Sequence, residues 1–489
     1  MATVEFLCDL SQRGTSLPHC WEHTVGSCHA PLALRADWQA QLRQCHERLG
    51  FRYVRFHGLL SDDVGTFVRT RGGLLDSFLN ADRIFDFLLS IGMKPFIELS
   101  FMPEALASGR TTVFKYGGNV TPPSDHRQWA AFIKRLVAHW VDRYGIREVA
   151  DWFFEVWNEP NLEAFWTGSR KDYFHFYRTT VGAIKEVDPA IRVGGPATAR
   201  DGWIDEFIDF CETADVAVDF VSTHHYPTDP FYPATPSTLS SEADNTETQL
   251  ARSRRSILRQ WAQDTRRRAR GRPLYYTEWN TSSNPGDPLH DEPYAAAFVA
   301  KTLLEVSGLV EAYSFWTFSD IFEENYFPSK PFHGGFGLMT LHGIPKPTYR
   351  AFELVHRLGH ERLLLDGLHH TIDGWVVRDN RQGPEVTILL TNHALPRHAI
   401  GTECVRVALV GATQPRQAFA ERIDRDHANP KREWRAVGSP EFLDSAQVEH
   451  LQTASRVSRE AIGCEHVDGT VRFEVTLPPH AVAAVTLGF

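Results

Sequence analysis

The sequence predicts a (β/α)8 barrel followed by an antiparallel β-sandwich, and two observations carry that prediction. From about residue 15 to 345, short β-branched and aromatic runs alternate with longer stretches whose apolar residues recur every three or four positions. That is the pattern of repeated βα units around a parallel sheet. Beyond Pro345-Lys346-Pro347 and one further helical stretch, strands separated by turn residues take over. A chain of 489 residues accommodates a barrel of about 250 to 350 residues and a smaller module. The expected domains are therefore 15–345 and 346–489, with the strand-like segment in 1–14 a candidate to join the second.

Taken in order, eight runs are predicted as barrel strands: Trp21 to Cys28, Tyr53 to His57, Pro95 to Ser100, Phe153 to Trp157, Arg192 to Gly195, Phe220 to His225, Leu274 to Glu278 and Ala312 to Phe318. Between them, Trp38 to Leu49, Ala81 to Ile91, Trp129 to Tyr144, Tyr173 to Val187 and Tyr294 to Leu304 have the helical period. After a helix from Thr348 to Leu358, the runs Trp375 to Val377, Val386 to Thr391, Val405 to Val410, Val471 to Leu477 and Ala481 to Phe489 read as sandwich strands.

Composition narrows the function classes. Apolar residues at 42% and charged residues at 23% suit an ordered globular chain. A net charge of -10 speaks against nucleic acid or an acidic membrane surface as partner. The one dense basic run, Arg252 to Arg272, is interleaved with Ile257, Leu258 and Trp261 and reads as a solvated helix face. Seven cysteines without CxxC spacing suggest neither a disulfide framework nor a zinc site. No apolar run reaches the ~20 residues of a membrane span, and the first residues lack a secretory pattern. A cytoplasmic location is expected.

A barrel of this type carries its active site at the carboxyl ends of the strands. Polar residues that end apolar strands here are His57, Asn158 with Glu159, His224 with His225 and Tyr226, and Glu278, while Trp316 lies late in the eighth run. Two carboxylates on the same rim, from the fourth and seventh strands, are what glycosidic cleavage requires: one protonates the leaving oxygen, the other attacks or activates water. Glu155, four residues before Glu159 and deeper in the barrel, is expected to make a structural ion pair with Arg55. His224 and His225 fall on opposite faces of a strand, and no metal is expected there.

Several runs together resemble glycoside hydrolase family 39. They are Phe154-Glu155-Val156-Trp157-Asn158-Glu159-Pro160-Asn161-Leu162, Tyr53-Val54-Arg55-Phe56-His57-Gly58, and Trp316-Thr317-Phe318-Ser319-Asp320-Ile321-Phe322-Glu323-Glu324. The resemblance implies a retaining (β/α)8-barrel glycosidase that needs no cofactor, with Glu159 as acid/base and Glu278 as nucleophile. It implies Asn158 on the sugar 2-hydroxyl, Tyr226 holding the nucleophile, His57 and His224 lining the sugar subsite, Trp316 beneath the sugar, and Glu323 and Glu324 accepting from outer hydroxyls. On this reading the charge of Glu278 keeps Glu159 protonated. The acidic run Asp320 to Glu324 favours a neutral sugar over a uronic acid. The expected activity is thus an exo-acting β-D-xylosidase acting on xylo-oligosaccharides. The alternatives are a β-glucosidase, α-L-arabinosidase or α-L-iduronidase-like member of the same family, or a non-catalytic glycan-binding protein.

Overall fold

The computed structural model describes residues 3–231, 246–325, 328–379 and 384–489. Eight parallel strands close into the predicted barrel: β1 (Thr24–His29), β2 (Tyr53–His57), β3 (Lys94–Glu98), β4 (Phe153–Glu155), β5 (Arg192–Thr198), β6 (Phe220–His224), β7 (Leu274–Trp279) and β8 (Ala312–Phe315). Each pairs with its neighbours in sequence, and β8 closes against β1. The first strand starts three residues later than expected, because Cys20–Glu22 form a 3₁₀ turn whose Trp21 stacks on His19. The last ends early: Trp316 N–H still donates to Trp279 O, but Thr317 N–H turns to Phe336 O.

The helices on the outside are α1 (Ala36–Leu49), α2 (Leu79–Ser90), α3 (His126–Tyr144), α4 (Arg170–Lys185), α5 (Ile204–Thr213), α6 (Ile257–Arg268), α7 (Pro293–Val306) and α8 (Pro347–His356). Those anticipated begin one to three residues before the expected start. Asp125 caps α3, and Ser169 with Asp172 forms a capping box on α4. The basic run begins before α6, continues along it and ends just after it. Its arginines pair with acids of neighbouring elements: Arg266 with Glu311, Arg268 with Asp205, Arg272 with Glu212.

Inside the barrel, strand alternation stacks side chains in layers. Phe96, Phe153, Phe220, Tyr275 and Ala312 form an apolar plug near the amino-terminal ends. Two residues further along β2, β3, β4 and β7 come Arg55, Glu98, Glu155 and Thr277, all buried. The plug therefore seals the bottom of a polar layer.

Two sheets enclose a second core built from residues such as Val376, Ile388, Val407, Phe473 and Val485. One runs Thr15–Ser16, Glu361–Leu363, Ile372–Asp379, Glu385–Asn392, Val482–Gly488, Gln417–Ile423, Arg459–Ala461; the other Thr3–Asp9, Glu403–Val410, Thr470–Leu477, Glu465–Val467. Thr3–Asp9 pairs parallel to Glu403–Val410. An excursion between strands carries two helices that the strand pattern did not anticipate, Pro430–Ala436 and Ser445–Ala454, each with a side-chain N-cap (Asn429 and Asp444). Their Trp434 and Leu451 pack on Phe332 and Ile344 of the loop after β8. Among the described residues, no helix is long and apolar enough to cross a membrane.

Candidate active site

Arg55, inward on β2, organises the barrel mouth. Its Nε donates to Glu155 Oε2 at 2.6 Å, Nη1 to Glu278 Oε1 at 2.8 Å and Nη2 to Asn158 Oδ1 at 2.9 Å, while Nη2 also lies 2.8 Å from Glu98 Oε2. The expected pair with Glu155 is thus one contact of a larger network. His57, two residues along, donates from Nδ1 to Glu98 Oε2 at 2.7 Å, and its Nε2 stands 3.7 Å from Glu278 and 3.8 Å from Glu324. Burial lowers the basicity of His57, but the charges of Glu98 and Glu278 outweigh it and hold the ring above its usual range.

The β4 end is built against steric preference. Trp157 (φ 75°) and Glu159 (φ 44°) both occupy the left-handed region without being glycine. Surrounding bonds hold the turn: Glu159 N–H donates to Ala197 O at 2.7 Å, Trp157 Nε1 to Phe165 O at 2.7 Å, and Tyr173 Oη contacts Val156 O and Pro196 O, each at 2.9 Å. Asn158 is thereby turned onto Arg55, and Glu159 onto His224, whose Nδ1 is 3.0 Å from Glu159 Oε1. The Glu159 carboxyl is pushed up to about 7. Burial is the leading cause, with the Glu98 charge adding to it, so desolvation rather than the charge of Glu278 is the main reason the proton stays.

On β7 a bulge changes the alternation. Thr223 pairs with Tyr276 and His224 with Glu278, leaving Thr277 as an extra residue. Consecutive side chains therefore both reach the interior: Thr277 Oγ1 donates to Glu155 Oε1 at 2.8 Å, and Glu278 accepts from Arg55 and, at 3.1 Å, from Tyr226 Oη. His225 points the other way, stacked on Tyr276 and 2.6 Å from Tyr313 Oη.

Trp316 is buried beside His57, ring centroids 4.7 Å apart, in space left by Gly26, where a Cβ would lie 2.6 Å from the indole. Glu323 and Glu324 diverge. Glu323 meets His29 Nδ1 at 3.3 Å, whereas Glu324 faces His57 and the two carboxylates and is pushed up to about 8, chiefly by burial and also by the charges of Glu278, Glu159 and Glu98. Arg55, Glu98 and Thr277 were not singled out as site residues from sequence. The signal available was a charged or polar residue at an inward position of a strand that is otherwise apolar.

Glu159, His224 and Glu278 form, among the described residues, the one group of three potential metal donors, all within 4.8 Å of one another. A permanent guanidinium 2.8 Å from Glu278 opposes a dication at that point. The arrangement instead brings two carboxyl groups together at the barrel mouth, the Glu159 one pushed up by burial.

Comparison with known proteins gives the family. Residues 6–472 match the model of the glycosyl hydrolases family 39. A protein named β-xylosidase from Caldicellulosiruptor saccharolyticus is 48% identical over 473 residues, covering 96% of this chain and 95% of that one. Another β-xylosidase, from Geobacillus stearothermophilus, is 38% identical over 481 residues, covering 96% and 92%. The solved structure of a β-xylosidase from Caulobacter crescentus superposes with a TM-score of 0.80 at 32% identity, over 99% of this chain and 100% of that one.

Proposed function

We propose that this chain, which belongs to glycosyl hydrolase family 39, is a retaining, exo-acting β-D-xylosidase that removes xylose from the non-reducing ends of xylo-oligosaccharides. The observation that carries the reading is the pair Glu159 and Glu278. Their oxygens lie within 4.8 Å, one carboxyl is pushed up to about 7, and the other is held by Arg55 and Tyr226. Carboxyl oxygens this close suit a nucleophile with an acid, not a water between two carboxylates.

In the first step Glu278 attacks the anomeric carbon while the C1–O bond breaks, and the Glu159 proton passes to the departing oxygen. In the second, ionised Glu159 takes a proton from water as its oxygen bonds to C1, and Glu278 leaves as a carboxylate. Asn158, fixed by Arg55, stands beside the acid to bond the 2-hydroxyl, and Trp316 supplies an apolar face for the ring.

The sugar class follows from charge. Of the basic groups at the mouth, Arg55 and His57 are already committed to Glu98, Glu155 and Glu278. A buried uronate would add a further negative charge beside Glu324 and the catalytic pair, where carboxyl groups already outnumber the basic ones. A neutral pyranose has no such cost, and the β-xylosidase names of the most similar relatives support the same choice. The test is a panel of aryl glycosides with the product anomer followed by NMR. β-Xylose as first product from a β-xyloside is expected; an inverted product, or turnover confined to an iduronide, sinks the proposal.

A further inference from the structure

The polar layer under the catalytic pair contains a chain of hydrogen bonds that runs in one direction. Glu155, fully buried against Arg55, accepts from Thr277 Oγ1 at 2.8 Å. Thr277 has a single hydroxyl hydrogen, and Arg55 holds Glu155 as an acceptor, so that hydrogen points to Glu155. The oxygen of Thr277 is then left to accept from His224 Nε2, 3.0 Å away. An imidazole with its hydrogen on Nε2 presents a bare lone pair at Nδ1, and Nδ1 faces Glu159 Oε1 at 3.0 Å. Two acceptors would meet there unless the Glu159 carboxyl donates.

From this we infer that Thr277 is a positioning residue: relaying the fixed orientation of Glu155, it locks His224 in the Nε2–H tautomer and so makes protonated Glu159 the resting partner of Nδ1. The inference rests on the reading of Glu159 as acid/base. In the glycosylation step, the proton held between Glu159 and Nδ1 is the one delivered to the leaving oxygen. Once it is gone, the bare Nδ1 opposes the Glu159 carboxylate and strengthens it as the base that deprotonates water. Burial keeps His224 neutral, pushing it down to about 4, so a doubly protonated ring does not compete at neutral pH.

Other charges reach Glu159 as well. Cations come from Arg55 and His57 on β2 and from Arg200 after β5. Carboxyl groups come from Glu98 on β3, Asp229 after β6, Glu278 on β7 and Glu324 after β8, and Tyr226 stands by as a neutral phenol. None of these groups is removed when Thr277 alone is altered, which makes Thr277 the position to test.

The experiment measures the pH dependence of kcat/KM on an aryl β-xyloside with a poor leaving group for the wild type, Thr277→Val and Thr277→Ser. Valine keeps the shape but frees His224 to carry its hydrogen on Nδ1 and donate to ionised Glu159, so the alkaline limb should move down by roughly one unit. Serine should restore its position. An alkaline limb unmoved in Thr277→Val, or moved equally in Thr277→Ser, overturns the relay. If the valine protein does not fold, ¹⁵N NMR of histidine-labelled wild type, with the His224 signal identified by its loss in His224→Gln, reads the tautomer. A hydrogen on Nε2 supports the relay and one on Nδ1 overturns it. Failure of the underlying reading looks different: the alkaline limb would then persist in Glu159→Ala.

Discussion

Two clusters of buried charge, one at the barrel mouth and one behind the loop that follows β8, are built on opposite balances. Behind the loop, Lys346 Nζ lies 2.7 Å from both Asp291 and Asp320 and donates to Gly335 O at 2.9 Å. Gly334 and Gly337 N–H groups donate to Asp291 and Asp320, each at 2.7 Å, and Lys431, from the helical excursion between the later strands, adds a cation 3.7 Å from Asp291. Every charge there is answered. Burial opposes it, but the ion pairing holds Lys346 up and Asp291 down, both in their charged forms.

At the mouth, Arg55 and His57 face Glu98, Glu155, Glu278, Glu159 and Glu324. The cations are outnumbered, and two carboxyls are pushed up, to about 7 and about 8. The contrast teaches that a buried cluster in balance is scaffold, whereas one with an excess of carboxylates stores protons. The first anchors the very loop that carries Glu324.

The contrast can be broken most sharply at Glu278. Glu278→Ala should lose on the order of 10⁴-fold or more in kcat with the fold intact, and azide should restore turnover as an α-glycosyl azide; retained hydrolysis would remove Glu278 from the chemistry. Next in size is Lys346→Met. It strands two carboxylates and should cost about 3 to 5 kcal/mol of stability, read from thermal or urea unfolding, while the alkaline limb of kcat/KM stays where it was. A moved limb with unchanged stability would reverse the roles assigned to the two clusters.

A third expectation concerns sign. Glu159 acts first as an acid, so kcat/KM should fall about tenfold per unit as pH rises beyond its value near 7. A rate that instead rises through that range would mean the carboxylate form is the one required. The smallest effect belongs to Glu324→Gln. With its carboxyl protonated at neutral pH, an amide of the same shape should alter KM by less than about tenfold, whereas a larger loss would show that the ionised form binds the sugar.

Much of this was legible in the residues themselves. The eight strands followed from local composition, and most of the outer helices from a three-to-four period, although Ile204–Thr213 was not among them. Glu159 and Glu278 could be paired because each stands at or beside the carboxyl end of its strand, and the contact of Glu155 with Arg55 followed from the strand's alternation. The helices at Pro430 and Ser445 were missed although Asn429 and the box of Asp444 with Gln447 signalled them, because their apolar content is too low for a strong period. Glu323 and Glu324 looked equivalent as neighbours, and only the fold separates one to His29 and the other to His57.

What the sequence determined by itself is what neighbouring residues encode: element type, caps, and which carboxyl groups end which strands. The tertiary structure decided the rest. A bulge on β7 brings Thr277 and Glu278 inward together, against the alternation that the strand pattern implies. Arg55 reaches Glu278 across 223 positions of chain, and Thr277 reaches Glu155 across 122. Which carboxyl keeps its proton depends on burial and on the sum of charges from several strands, and those quantities exist only once the barrel has closed.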